Sequence, residues 1–570
     1  MAESGGTVER ERQMIVDAKA KGTASTFLAY TKLSGPGWLQ SAITLGGGSL
    51  AGSLYLGVIG GYQMMWLQPL MMILGIVMLS AIGYVALSTD EKPFQAINRH
   101  VNPVLGWGWA IATLMANLVW AMPQFSLGTA ALQQNLGIFA SDDYPKYGSL
   151  YCAILLFVAG AVVIWFYDSG GWGIKLFEII LKIMVAVVVL SFLGVVVTMT
   201  LSNAGLPWSE ILAGFVPNLN LLFEPADKLQ EFIAASSNPE YWQSTVLSTQ
   251  RDLMVTAAAT AVGINMTFLL PYSMLKRGWD KDFRGLATFD LSTGLFIPFV
   301  VATSCVVIAS ASQFHGQYDA GLLGEAPATD VTTELEGAYN TNLDGLLKEQ
   351  LGAEKLSQLS PADRQSHIDQ LPKPDKQISA MLVKRDAFLL ADSLEHLSGK
   401  NISQTVFGIG VLGMAVSTII ILMLINGFTI CEMLGLPSEG LLHRFGCLLP
   451  GITGAVGFLL LWGDAKARFW LAVPTSVFGM VLLPIAYITF FLMMNNRGLL
   501  GDNLPRGGKR VAVNVTMLIA LLAASVGAGW SIWSKAGWVG VGLVAAFMAL
   551  TVVVHFVRSK PTAADPKGTA

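Results

Sequence analysis

Residues 33–60 read LSGPGWLQSAITLGGGSLAGSLYLGVIG, an apolar run interrupted at Gly46-Gly47-Gly48-Ser49. Roughly 20 helical apolar residues suffice to cross a bilayer, so the run is long enough to span one. Each of the three glycines gives up roughly 1 kcal/mol of helix propensity. In hydrocarbon an unwound backbone survives only where it is buried in protein or lines a cavity. The stretch therefore reads as a discontinuous membrane helix, which in secondary transporters marks a solute site. The break also leaves amide N–H groups at the positive start of a second half-helix.

The rest of the chain agrees with that class. Of 570 residues 53% are hydrophobic and 13% charged, against about 25% charged in soluble domains. Apolar runs recur at 34–60, 62–88, 105–134, 148–167, 172–200, 251–277, 286–312, 402–427, 442–463, 468–495, 511–532 and 536–557. Twelve such runs predict an all-α integral membrane protein, and the alternating pattern of membrane strands is not seen. The lipid bilayer is then a partner, and a net charge of −3 gives no reason to expect nucleic acid. Cys152, Cys305, Cys431 and Cys447 lie in or beside apolar runs without ligand spacing and read as small buried hydrophobes. The first 30 residues carry Glu9, Arg10, Glu11, Arg12 and Asp17 and no apolar core, so no cleavable signal peptide is expected there.

Charge orients the spans. Connections after even-numbered runs hold Lys92, Arg99, Lys276, Arg277, Lys281, Arg284, Arg444, Arg497, Arg506, Lys509 and Arg510, and the tail holds Arg558 and Lys560. The short connections after odd-numbered runs hold only Lys146, Lys466, Arg468 and Lys535. The positive-inside rule then places both termini in the cytoplasm of a bacterial-type inner or plasma membrane. His555 is expected at an interface. Two long segments, 201–250 and 313–401, fall outside. Around Ala380-Met381-Leu382 and Phe388-Leu389-Leu390 the second has helical amphipathic spacing. It reads either as an ordinary surface insertion or as a cap over an outer vestibule.

Run six is interrupted too. Asn265, Met266 and Thr267 precede Pro271, and a proline inside a helix costs about 3 kcal/mol and frees a carbonyl. Breaks in runs one and six stand five spans apart, the relation of two inverted five-helix repeats. The expected organisation is an N-terminal segment 1–33 and a first repeat 34–200. The loop 201–250 and a second repeat 251–495, carrying the 313–401 insertion, follow. Two further helices occupy 511–557, and 558–570 is a tail.

Several motifs now resemble the Nramp family, within the leucine-transporter-type fold and the wider APC superfamily. Gly35-Pro36-Gly37-Trp38 resembles its entry to the first helix, with Gly61-Tyr62 and Trp66 at family spacing. Phe289-Asp290 and Phe314-His315 bracket run seven similarly. Phe407-Gly408-Ile409 and Ser417-Thr418 resemble the eighth helix, and Leu483-Pro484-Ile485-Ala486 with Arg497-Gly498-Leu499-Leu500-Gly501 the end of the tenth. The resemblance implies alternating-access transport of a metal cation.

The departures fall on the site. The family's first break reads Asp-Pro-Gly-Asn and its sixth Met-Pro-His-Asn. Matching positions put Gly46, Ser49 and Thr267 where the resemblance implies metal ligands, and Leu269 in place of the histidine. Met122 and Phe125 stand where the family has acids tied to proton movement, and Ser476 where it has a glutamine. A buried dication needs nearby negative charge, and a transition metal favours softer ligands than hydroxyls. Hydroxyls and carbonyls could hold hydrated magnesium or an alkali cation. A glycine-rich break equally suits a small carboxylate or an amino-acid-like solute.

Gly46, Gly47, Gly48, Ser49, Asn265, Met266, Thr267 and Ser476 are thus the candidate substrate-binding residues. No metal ligand is assigned beyond weak roles for Ser49 and Thr267, and no cofactor is expected. Glu178 and Lys182 are four apart and can pair on one helix face. Asp290 sits near the start of run seven; all three read as structural or gating groups. A secondary transporter without strong proton coupling is the leading reading. A non-transporting sensor is the alternative, against which the short tail after residue 557 counts. No nucleophile–base set or phosphate loop converges to suggest an enzyme.

Overall fold

Pro36 opens the first half-helix, Pro36–Thr44, where its missing N–H costs nothing. Leu45 and Gly46 leave helical geometry, and a second half-helix starts at Gly47, bent by 57° from the first. The computed structural model describes residues 2–89, 91–140, 143–167, 171–202, 205–385, 387–395, 401–461 and 472–558. Among them the chain is helical and holds no strand. Spans two to five are Leu67–Ser88, Pro103–Ala130, Gly148–Tyr167 and Gly171–Leu201.

Span six comprises Pro239–Ala261 and Ile264–Lys276. Its break lies at Val262 and Gly263, both extended, four residues before Thr267. That corrects the sequence reading, which centred the break on Thr267 and Pro271. Pro271 instead sits inside the second half-helix. One proline deletes one hydrogen bond and kinks; the extended Val262-Gly263 pair ends the helix outright.

Span seven runs over Lys281–Phe314, and spans eight, nine and ten are Phe407–Met433, Gly440–Leu461 and Ala472–Met494. The last helix, Gly507–Val557, is continuous except at Gly537, whose φ of 51° and ψ of −140° are not helical. Its packing shows two antiparallel spans, span eleven before Gly537 and span twelve after it. Asn514 bonds Asn495, Trp530 donates to Asp252 at the opposite end of the bundle, and Thr551 accepts from Asn102 back at the first end. The left-handed backbone at the bend suits glycine.

Burial gives no hydrophobic drive between helices in lipid, so close packing of small residues must hold them together. Span eight runs through the centre, with Ile420 to Ile425 fully buried against spans three and nine. Gly454 on span nine admits the ring of Phe125, and Gly457 admits Met122. Gly57, past the first break, lies so close to span seven that a Cβ would meet Ser310 Oγ at 1.9 Å and the Val307 carbonyl at 2.7 Å.

The two long insertions form one extramembrane body. Fully buried Asp375 accepts from Ser237 N at 3.0 Å and Trp242 Nε1 at 2.7 Å, joining one insertion to the other. Residues 380–385 and 387–394 are not a surface helix. Met381, Val383, Leu390 and Leu394 are buried, Lys384 lies 5.7 Å from the Tyr55 ring, and Arg385 lies 5.5 Å from the Phe314 ring. The segment packs against the ends of spans one and seven. Burial there lowers the Lys384 amine to about 8.

Replacing Gly57 by alanine is expected to cost about 1–3 kcal/mol, because the Val307 main chain cannot yield as a side chain would. A lowered melting midpoint in detergent checks it; an unchanged midpoint means the two helices separate freely.

Candidate functional site

Both breaks open onto one small cavity of about 50 Å³. Thr44 and Thr260 close it from the ends of the first half-helices, and Gly46, Gly48 and Ser49 line it from the first break. Gly263, Asn265 and Met266 line it from the second, with Trp120 and Gln124 from span three and Thr418 from span eight. Among the described residues none that lines it carries a charge. Among the described residues no cluster of three histidine, cysteine or acidic side chains occurs.

The exposed backbone at the breaks is satisfied locally, as burial requires. Ser49 Oγ accepts from Gly46 N at 3.1 Å and donates to Gly46 O at 2.9 Å. Gln124 Oε1 accepts from Gly47 N at 2.9 Å. Asn265 Oδ1 accepts from Met266 N at 2.9 Å, and Met266 Sδ lies 3.4 Å from Gly263 N. Thr44 Oγ1 lies 2.8 Å from Thr260 O and 2.9 Å from Ala261 O, tying the carboxyl ends of the two half-helices together. Asn265 Nδ2 is buried with no protein partner among the described residues.

The sequence candidates divide. Gly46, Gly48, Ser49, Asn265 and Met266 line the cavity, and Gly47 is held at its edge through Gln124. Thr267 does not line it: its hydroxyl accepts from Trp109 Nε1 at 2.9 Å and donates to Ile264 O. The reason is the earlier break, which turns Thr267 onto the span-three side and brings the Met266 thioether to the cavity. The Ser476 side chain lies outside the described residues. Thr44, Thr260, Trp120 and Thr418 were not among the candidates; a threonine next to each break was the available signal for the first two.

A second polar cluster stands at the start of span one. Asp290 Oδ2 accepts from Gly35 N at 3.0 Å and Gly37 N at 2.7 Å, capping the half-helix from span seven. Lys182 Nζ donates to Ser34 O at 2.7 Å and Arg277 Nη1 to Leu33 O at 3.1 Å. Glu178 accepts from Arg277 Nε at 2.9 Å. The expected Glu178–Lys182 pair is therefore not formed, because Arg277 offers a two-pronged partner and Ser34 O takes the amine. Each glycine of Gly35-Pro36-Gly37 has its reason: a Cβ would strike the Arg277 guanidinium at 2.0 Å or the Asp290 main chain at 2.2 Å. Beside this cluster, Arg12 of the N-terminal helix Ala2–Lys21 pairs with Asp280 at 2.8 Å. Burial there raises the Glu11 carboxyl, opposed by Arg277.

A sequence model described as natural resistance-associated macrophage protein-like matches residues 37–341 and 379–530. No curated protein matches by sequence. Among solved structures, the manganese transporter of Eremococcus coleocola bound to an aromatic bis-isothiourea compound is similar in fold. Its TM-score is 0.61 at 13% identity, covering 93% of this chain and 94% of that one. A histidine-to-alanine mutant of the same transporter gives a TM-score of 0.61 at 14% identity, with the same coverage.

Asp290→Ala is expected to strand two buried N–H groups, at roughly 1–3 kcal/mol each, and to lower the melting midpoint clearly. Asp290→Asn keeps an acceptor and is expected to lose less. Equal losses in the two variants would mean the capping bonds contribute nothing.

Proposed function

The chain belongs to the Nramp family, and from that premise we propose that it transports a small, hard cation with much of its water shell, by alternating access. The carrying observation is that every described residue lining the cavity between the two breaks is neutral. Stripping a divalent ion of water there would leave its charge uncompensated, at a cost of many kcal/mol. A hydrated ion needs only neutral oxygens, such as those of Gln124, Asn265, Ser49 and the threonines. Met266 adds one sulfur, which does not make up for a missing carboxylate.

Size and electrostatics weigh against an organic solute. A water needs about 10–15 Å³ of such space, so 50 Å³ accommodates a few waters or an ion. Organic ligand sites run to roughly 300–1,000 Å³. A carboxylate would also need the N–H groups of Gly46, Gly47 and Met266, which Ser49, Gln124 and Asn265 already occupy.

Proton coupling is expected to be weak or absent. Met122 and Phe125 pack against Gly457 and Gly454 where the resemblance places proton-linked acids. The Asp290, Lys182 and Arg277 cluster serves as the closure of the cytoplasmic end in this reading. Opening it requires releasing Leu33 to Gly37 from all three side chains. The extramembrane segment around Lys384 closes the other end.

Proteoliposomes loaded with a magnesium-sensitive dye test this. Magnesium entry down its gradient, unaffected by an imposed pH gradient, is expected, with manganese a weak competitor. Asn265→Ala should slow entry by roughly tenfold, the worth of about one hydrogen bond. Strictly proton-driven flux, or manganese moving faster than magnesium, would overturn the proposal.

A further inference from the structure

Two clefts meet at the membrane end where spans seven and eleven begin. One, of about 670 Å³, runs between spans two, seven and eleven and is walled by Ile73, Val77, Phe296 and Val513. Ile73 is 48% exposed on the lipid-facing surface. The other, of about 620 Å³, lies beyond it toward the N-terminal helix and includes Lys19, Lys281 and Arg284. Tyr84, Thr288 and Lys509 border both, so the two are continuous.

The charge in this groove is one-sided. Among the described residues Asp282 is the single carboxylate of its lining and is already paired with Arg12. Among the described residues, Lys19, Lys281 and Lys509 form no ion pair. Arg284 has neutral partners: the Lys281 carbonyl at 2.9 Å, Ser88 Oγ at 3.0 Å, Asn503 Oδ1 at 3.3 Å and the Tyr84 ring at 4.7 Å. These contacts fix the guanidinium at the groove's mouth. Four cations thus ring one end of an apolar trough that opens to lipid.

We propose that this groove binds an anionic phospholipid, its phosphate held by Lys281, Arg284, Lys509 and Lys19 and an acyl chain laid along Ile73, Val77, Phe296 and Val513. The charge complements a phosphodiester, and the apolar wall continues in the direction an acyl chain must take. Basic pockets between spans at the cytoplasmic end suit such headgroups. A zwitterionic lipid would bring its own cation to the cluster and lose that advantage. The site lies outside the cavity at the breaks and stands whether or not the cation reading holds.

Native mass spectrometry of the full chain in detergent tests it, with phosphatidylglycerol and phosphatidylcholine of identical acyl chains as probes. Phosphatidylglycerol is expected to bind more tightly, and Lys281→Gln and Lys509→Gln each to weaken it roughly fivefold, the effect of about one interfacial charge. Val77→Trp, which fills the trough and leaves the cations in place, is expected to weaken it as well. Melting midpoints confirm that the variants fold. Equal retention of the two lipids, or parent-like phosphatidylglycerol binding by the lysine variants, would overturn the proposal. So would displacement of phosphatidylglycerol by inorganic phosphate alone, which would make the cluster a free-anion site.

Discussion

Every main-chain N–H and C=O inside a bilayer must find a partner in the protein, and this structure is arranged around that demand at its two broken helices. An intact helix satisfies its own backbone. At Leu45–Gly46 and Val262–Gly263 it does not, and the deficit is met by a short list of side chains: Ser49, Gln124, Asn265 and Thr44. Each comes from a different turn or span, so placing them fixes how spans one, three and six sit together. The same logic recurs at the start of span one, where Asp290 takes two N–H groups and Lys182 and Arg277 take two carbonyls.

That arrangement makes the cavity chemically quiet. The groups that could bind a ligand strongly through backbone N–H are engaged with neutral amides and hydroxyls. What faces the space is a set of weak oxygen donors, one thioether and the Trp120 ring. Such a lining can exchange bonds with a hydrated ion at small net cost, since each protein oxygen replaces a water of similar strength. Weak binding also suits turnover, because a tightly held solute leaves slowly.

The span pattern, the inverted repeat, the first break and the family were legible because each rests on many residues or on a signal as strong as three consecutive glycines. The position of the second break was not. Proline is the loudest helix breaker in a sequence, and Pro271 drew the reading toward itself. The true break at Val262-Gly263 carries a single glycine, which in an apolar run looks like ordinary packing. That displacement of four residues put Thr267 on the site and left Thr260 off it. The Glu178–Lys182 expectation failed for a related reason. Spacing along one helix identifies neighbours, but Arg277 arrives from another span, and no local pattern announces it. The insertion's docking was hidden likewise, because amphipathic spacing describes a face without saying what covers it.

The uncharged cavity and the apolar side chains Met122 and Phe125 on span three fit one proposal. A carboxylate at the first break would put a full negative charge between two half-helix ends, stable only with a cation or proton close by. Coupling acids elsewhere would serve to exchange that proton. In this chain Gly46 leaves no such charge, its would-be Cβ position lying 2.5 Å from Thr418 Oγ1. With nothing at the break to neutralise, acids on span three would be buried charges without function. Met122 and Phe125 instead fill the hollows left by Gly457 and Gly454, packing spans three and nine tightly together. An acid placed at Met122 or Phe125 alone would therefore meet a tightly filled apolar interface with nothing nearby to neutralise it.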